Sequence, residues 1–143
     1  MADPVKYELL TWKEDYSVRF ELIDKQHMGL IEMTNELFEA CNRGNFAAGS
    51  VFIKTIHKAV EYAQVHFYTE EKYMKQVDYP ELEDHKREHK QFVAKVLAAV
   101  HAFEEGKARP QDLAIFLRDW LLNHIAGTDK KYSPYLAKLP QAK

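Results

Sequence analysis

The stretch His66-Phe-Tyr-Thr-Glu70, HFYTE in one-letter code, places an imidazole and a carboxylate four residues apart. On an α-helix this spacing puts both side chains on one face, about one turn from each other. The neighbouring apolar residues predict that this face is buried. Because a buried polar group without a partner is costly, a chain that folds around this pair must supply partners from other segments.

Apolar residues recur every three or four positions in four segments, which is typical of amphipathic helices. The predicted helices span residues 20–41, 47–76, 82–105 and 110–128. Turns are predicted where Gly, Asn and Pro interrupt the pattern, at Asn42, Gly44 and Asn45, at Tyr79-Pro80, and at Gly106 with Pro110. Four helices joined by short loops predict an all-α fold, an antiparallel up-down-up-down four-helix bundle. Residues 1–19 are predicted to form an ordered N-terminal arm, and residues 129–143 a C-terminal tail.

Length and composition predict one soluble domain over residues 1–143. The net charge of −2 provides no basic field for nucleic acid. No apolar run approaches the roughly 20 residues of a membrane helix. The N-terminal sequence lacks the pattern of a signal peptide, so a cytoplasmic location is expected. The single cysteine, Cys41, excludes an internal disulfide and is expected to be a packing residue.

Other histidines have the spacing that partners of HFYTE need. His27 lies in the apolar stripe of the first predicted helix. The stretch HKREH places His85 and His89 four residues apart, and HIAGTD places His124 five residues before Asp129. Each of the four helices therefore presents at least one metal-ligating side chain from its apolar side.

The remaining two histidines are out of phase with this face. His57 lies nine residues before His66 and His101 lies twelve residues after His89, so both are predicted to be outside the cluster. A single buried histidine is more often a hydrogen-bonded structural residue than a ligand, and HKREH alone is typical of a charged helix surface. Five histidines and two carboxylates converging in one core would be costly to bury without cations, so the joint pattern favours a metal site.

The ligand types limit which metal ions the site can bind. Imidazoles and carboxylates without a thiolate suit iron and, less selectively, zinc or manganese. Seven side chains exceed the needs of one ion, so two ions are predicted. If both carboxylates and a solvent-derived oxygen bridge the ions, all but one position of two octahedra are filled. A single open position suits one small ligand.

These motifs, together with IDKQH ending at His27 and LLTWKEDYSV before the first helix, closely resemble the hemerythrin family. The resemblance extends from about Leu10 to about Tyr135. It implies a four-helix bundle that binds dioxygen reversibly at two non-haem iron ions with an oxo or hydroxo bridge. The implied ligands are His27 and His66 on one iron, His85, His89 and His124 on the other, and Glu70 and Asp129 as bridges. The chain is expected to be a monomer whose ligand is dioxygen, without a nucleic-acid partner; an oxygen-consuming protein partner stays open.

Three functions remain to be distinguished. The leading hypothesis is a non-enzymatic oxygen-binding module for storage, delivery or sensing. The alternative is a di-iron enzyme, either an oxidase or a nitric oxide or peroxide reductase. The histidine-rich ligand set lacks the Glu-x-x-His motif of carboxylate-rich di-iron sites, which favours reversible binding. A third function, iron storage, would need a carboxylate-lined path to the site, and the sequence does not identify one.

Two predictions concern the surroundings of the site. Asp24, one turn before His27, is predicted either to hold the second nitrogen of that imidazole or to face solvent. Tyr62 and Tyr73 lie one turn from predicted ligands, and a phenol in the pocket would be a proton donor.

The spacing of HIAGTD predicts an irregular fourth helix. Five residues of regular α-helix would leave His124 and Asp129 about 140° apart around the axis. A π-type widening or a helix end near Gly127 would bring both to one site, and glycine tolerates such a change.

Overall fold

The structure, a computed structural model, describes residues 7–43 and 45–139, without the side chains of residues 45–52. Its long helices are α1 (Glu21–Arg43), α2 (Asn45–Gln76), α3 (Leu82–Glu104) and α4 (Pro110–Asn123), and a short α5 spans Ser133–Leu136. All regular elements of the described residues are helical, which confirms the predicted class. The predicted turn residue Gly44 and both chain ends lie outside the described residues. None of the described helices has the length and apolar character needed to span a membrane.

The helices associate through their apolar stripes. Helix α1 packs mainly on α2 and α4, and α2 also packs on α3. The core between them consists of Leu30, Ile31, Leu37, Phe38, Ile56, Ala63, Phe67, Phe92, Val96, Leu113, Ala114, Leu117, Leu121 and Ile125. Burial of this apolar surface is the main favourable contribution to the bundle. Leu97 follows the spacing of the core but is 54% exposed, because it lies about 100° around α3 from the buried Val96 and faces outward.

Left-handed residues end α2 and α3. Gly106 has φ 74°, and beyond it Lys107 donates its N–H to the Ala102 carbonyl at 2.8 Å. Asp78 has φ 53°, and Tyr79 donates its N–H to the Met74 carbonyl at 2.9 Å. Both arrangements satisfy carbonyls at the helix end and turn the chain sharply. The short connections that follow reverse the chain and place α3 and α4 beside their neighbours.

The N-terminal arm is held on α1 by asparagine side chains. The Asn42 amide accepts the Tyr7 N–H at 2.7 Å and donates to the Tyr7 carbonyl at 3.0 Å. Asn35 makes the same pair of bonds with Leu10, at 2.7 and 2.9 Å. Asn42 belongs to α1, which ends at Arg43, so its assignment to a turn was wrong. Two helical turns separate the asparagines, so the arm runs along the helix.

Asp24 anchors the end of this arm. One carboxylate oxygen accepts the Val18 N–H at 2.9 Å and the other accepts the Ser17 hydroxyl at 2.6 Å. Asp24 thus neither holds His27 nor simply faces solvent, and both predicted alternatives are replaced by a role in holding Ser17 and Val18 against the first turn of α1.

The segment after α4 packs under the bundle. A second apolar cluster consists of Val18, Phe20, Ile23, Met74, Tyr79, Tyr132 and Leu136. The Ser133 hydroxyl also donates to the Val18 carbonyl at 2.6 Å. Residues predicted as a C-terminal tail therefore contribute buried side chains, and Tyr132 is brought to the centre of the molecule.

Candidate metal centre

The helical path widens into a π-helical turn where α4 reaches the predicted cluster. A π-helical turn spans His124–Thr128, and the N–H of Asp129 donates to the His124 carbonyl. This five-residue hydrogen bond brings two side chains five residues apart to the same side, and His124 Nε2 lies 2.8 Å from Asp129 Oδ1. The predicted irregularity is therefore confirmed. Gly127 does not adopt a positive φ, so the widening does not depend on the freedom of glycine.

The structure brings together all seven side chains that the sequence singles out. None of them is more than 3% exposed: His27, His66, Glu70, His85, His89, His124 and Asp129. His57 is exposed and lies outside this cluster, as its helical phase predicts. His101 is 72% exposed at its side chain and pairs with Glu105 at 3.0 Å.

The seven side chains form two groups that share Glu70. One group consists of Glu70, His85, His89 and His124; the other consists of His27, His66, Glu70 and Asp129. Within each group the ligand atoms lie within 4.8 Å of one another. Asp129 also spans both groups, because Oδ2 lies 2.9 Å from His27 Nε2 while Oδ1 lies 2.9 Å from His85 Nε2. Each carboxylate therefore faces imidazoles of both groups, as expected of a bridge between two cations.

The protein alone leaves polar atoms of this cluster unsatisfied. The following buried atoms have no hydrogen bond of acceptable geometry: Nε2 of His27, His66 and His85, Oε1 of Glu70, and both carboxylate oxygens of Asp129. Buried polar atoms are almost always satisfied, so this set indicates a missing partner. Imidazole nitrogen and carboxylate oxygen are ligands of iron, zinc and manganese. The residues present therefore fit a pair of cations.

The pKa values describe how the metal-free cluster balances its charge. Burial disfavours the charged form of His124, but Asp129 and Glu70 outweigh this and raise its pKa to about 10. The same competition raises the pKa of His85 to about 9, whereas burial lowers the pKa of His89 to about 3. Two protonated imidazoles therefore compensate the two buried carboxylates in the metal-free chain, a role that bound cations would take over.

Two polar side chains contact the Nδ1 atoms of imidazoles in this cluster. His66 Nδ1 lies 2.7 Å from Gln26 Oε1, and His89 Nδ1 lies 2.9 Å from Glu71 Oε2. A hydrogen bond from Nδ1 leaves the Nε2 lone pair free to face the centre. Sequence reasoning missed both residues, because each is the immediate neighbour of a predicted ligand and lies about 100° away from it around the helix.

Aromatic rings stack on two imidazoles of the cluster. The Phe67 ring stacks on His89 with centroids 3.8 Å apart, and Trp120 stacks on His124 at 4.4 Å. Phe92 stacks in turn on Trp120 at 4.0 Å. These contacts restrict rotation of the two imidazoles and form an apolar wall beside the cluster.

The phenol that contacts the cluster is Tyr132, rather than Tyr62 or Tyr73. Its hydroxyl donates to Glu70 Oε2 at 2.6 Å and its side chain is fully buried. Burial raises the pKa of Tyr132 well above its usual value, and Asp129 and Glu70 raise it further. Tyr62 instead packs against Gly29 of α1. The approach is so close that a Cβ atom added to Gly29 would lie 2.7 Å from Tyr62 Cζ. The signal for Tyr132 was its position three residues after Asp129.

Replacing Tyr132 with phenylalanine is expected to lower the free energy of unfolding of the metal-free protein by about 1–3 kcal/mol, because Glu70 loses a buried donor. Denaturant unfolding measures this change. Tyr68→Phe is the matched control, since the Tyr68 side chain is 71% exposed and its variant is expected to be as stable as the parent protein. Equal stability of Tyr132→Phe and Tyr68→Phe would contradict a stabilising role of the Glu70 contact.

Comparison with known proteins agrees with this geometry. Residues 18–136 match the model of the hemerythrin HHE cation binding domain. A bacteriohemerythrin of Stenotrophomonas maltophilia is 36% identical over 87% of this chain and 80% of its own length. A myohemerythrin of Theromyzon tessulatum is 31% identical over 85% of this chain and 88% of its own. The crystal structure of a wild-type hemerythrin superposes with a TM-score of 0.78 at 32% identity, covering 91% of this chain and 99% of the other. The chain therefore belongs to the hemerythrin family.

Proposed function

We propose that this protein binds dioxygen reversibly at a pair of iron ions. The observation that carries the proposal is the division of seven buried ligands into two groups that share Glu70. The proposed ligands are His85, His89 and His124 for one ion, His27 and His66 for the other, and Glu70 and Asp129 as bridges. The first ion has more protein ligands, so the open position for a small molecule is assigned to the ion held by His27 and His66.

The donor set supports iron as the metal. Five imidazoles and two carboxylates without a thiolate match non-haem iron, although zinc and manganese accept the same ligands. When bound in the reduced state, the iron pair supplies the electrons on which dioxygen binding draws. The family to which the chain belongs supports the same assignment, since its model describes a cation binding domain.

The surrounding side chains favour binding over turnover. Phe67 stacks on His89, Trp120 stacks on His124 and Phe92 lies against Trp120, so an apolar wall stands beside these two imidazoles. The proton of Tyr132 is held by Glu70, so the phenol nearest the cluster already has an acceptor. Apolar surroundings without a free proton donor slow the loss of a reduced oxygen species from the site.

A small apolar cavity adjoins this wall and supports the choice of ligand. It measures about 20 Å³ and is lined by Leu30, Thr34, Ala59, Ala63, Phe67, Phe92, Leu117, Trp120 and Leu121. Dioxygen is small and uncharged, so it can enter apolar surroundings that exclude ions and disfavour water.

The proposal extends to storage, delivery or sensing of oxygen by a monomer in the cytoplasm, without catalytic turnover. The alternative function is a di-iron oxidase or a nitric oxide or peroxide reductase. The two functions differ in what happens to bound oxygen when no reductant is added. A carrier releases dioxygen, whereas an oxidase uses the two electrons of the iron pair to convert it to peroxide.

The test uses the reduced protein prepared without oxygen. Elemental analysis is expected to give two irons per chain, and optical titration to give one dioxygen per chain. Repeated cycling between oxygen and argon without reductant is expected to restore the reduced spectrum over several cycles. Oxidised protein with peroxide as a product in the first cycle would favour the enzyme. A reproducible value of one metal per chain would contradict the paired centre.

A further inference from the structure

We infer that Glu71 and Gln26 are positioning residues that make the two metal positions chemically unequal. A carboxylate stands behind His89 in one group, and a neutral amide stands behind His66 in the other. The inference rests on the proposed metal pair. It adds that the two positions bind a cation with different affinities, each set in part by the side chain that accepts from a histidine Nδ1.

A chain of hydrogen bonds fixes the orientation of the Gln26 amide. The Thr69 hydroxyl donates to the Val65 carbonyl at 3.0 Å, so this oxygen can only accept from Gln26 Nε2, which lies 3.3 Å away. Gln26 must then present Oε1 to His66 Nδ1 at 2.7 Å. His66 is consequently the donor, and its Nε2 faces Glu70 as a neutral ligand atom.

Glu71 meets His89 from the wall of an open groove. The side chain of Glu71 is 27% exposed, whereas that of His89 is 3% exposed. The groove has a volume of about 440 Å³ and runs between α2 and α3 past Tyr68, Lys90 and Leu97. Stacking of Phe67 on His89, with 6° between the ring planes, keeps Nδ1 directed at the carboxylate. Glu71 therefore connects a buried ligand to the outside of the protein.

The two acceptors differ in their effect on the imidazole. A charged acceptor makes a stronger hydrogen bond than a neutral amide and draws the Nδ1 proton more strongly. The imidazole then donates more electron density from Nε2, and outer carboxylates of this kind change metal affinity by about 10–100-fold. Glu71 should therefore strengthen cation binding at the position of His85, His89 and His124. Gln26 leaves the position of His27 and His66 without this contribution.

Two reciprocal variants test the inference. Glu71→Gln keeps an oxygen acceptor for His89 but removes the charge, and Gln26→Glu adds a charge behind His66. Cobalt(II), added without oxygen to the metal-free protein, is followed by its visible absorption to give two stepwise dissociation constants. Glu71→Gln is expected to weaken one step by about tenfold or more and to leave the other within about twofold. Gln26→Glu is expected to tighten one step, and the paramagnetic proton spectrum identifies which histidine Nδ1–H shifts.

The midpoint potential of the iron protein provides a second measurement. Removing the negative charge of Glu71 disfavours the more highly charged oxidised metal, so Glu71→Gln is expected to raise the midpoint potential. A residue that only supports the fold would not move this potential. The control is Glu61→Gln, the same change at an exposed position of α2, which is expected to leave both constants and the potential unchanged.

The outcomes separate this inference from the proposed function. Fewer than two cobalt ions bound by the parent chain would contradict the paired centre itself. Two ions bound, with unchanged or equally changed constants in Glu71→Gln and Gln26→Glu, would overturn the inference and leave the paired centre intact. If Glu71→Gln does not fold, the Gln26→Glu titration decides by the same criterion.

Discussion

Replacement of Glu70 by alanine is expected to abolish the paired metal centre and reduce iron from two ions to one or none per chain. Glu70 is the side chain that both ligand groups share, and it lies 2.7 Å from His66 Nε2 through Oε1. Its loss removes a ligand from both positions and leaves two cations in the core with less negative charge to offset their repulsion. Affinity for the second ion should fall by more than about 100-fold, since even outer partners contribute 10–100-fold. Elemental analysis and the oxygen-linked absorption measure the change.

His57→Ala and His101→Ala are the controls for this experiment. Both remove an imidazole that lies outside the cluster, and both are expected to retain two irons and normal oxygen-linked absorption. Normal absorption in Glu70→Ala, or its loss in His57→Ala, would show that the ligands were wrongly assigned. This comparison therefore tests the helical phase argument as well as the role of Glu70.

Removal of iron is expected to lower the midpoint of thermal unfolding by about 8–16 °C. Ligands that bind only the folded state stabilise it by about 4 kcal/mol at a thousandfold excess over their dissociation constant. Each kcal/mol corresponds to about 2–4 °C for a chain of this size. The metal-free core retains buried polar atoms without hydrogen bonds, including His27 Nε2 and both carboxylate oxygens of Asp129, so the protonated imidazoles replace the metal only in part. Calorimetry of the iron protein before and after chelation measures the difference.

Restoration of the original midpoint after iron is added back is the necessary control, because it separates loss of metal from irreversible damage. Glu70→Ala is expected to show a smaller change on chelation than the parent protein, since it holds at most one ion. An unchanged midpoint in the metal-free parent protein would mean that the ligands are organised without metal and that binding contributes little to stability.

The sequence determined the helices and the seven side chains of the candidate centre, because both are encoded locally. Apolar residues at three and four positions set the buried face of each helix, and that face carries His27, His66 and His124. Even the irregularity after α4 followed from local spacing, since a regular helix cannot direct His124 and Asp129 to one place. These conclusions need only the geometry of a single helix.

Contacts between distant parts of the chain were decided by the tertiary structure. Tyr132 is 62 residues from Glu70, and it reaches that carboxylate only because the segment after α4 folds back under α1 and α2. Gln26 lies 40 residues from His66, and Glu71 lies 18 residues from His89. Such pairs depend on the rotation and axial offset of packed helices, which periodicity does not specify. The choice of side chains at the centre was therefore local, whereas the hydrogen bonds that tune them arise only when the helices pack.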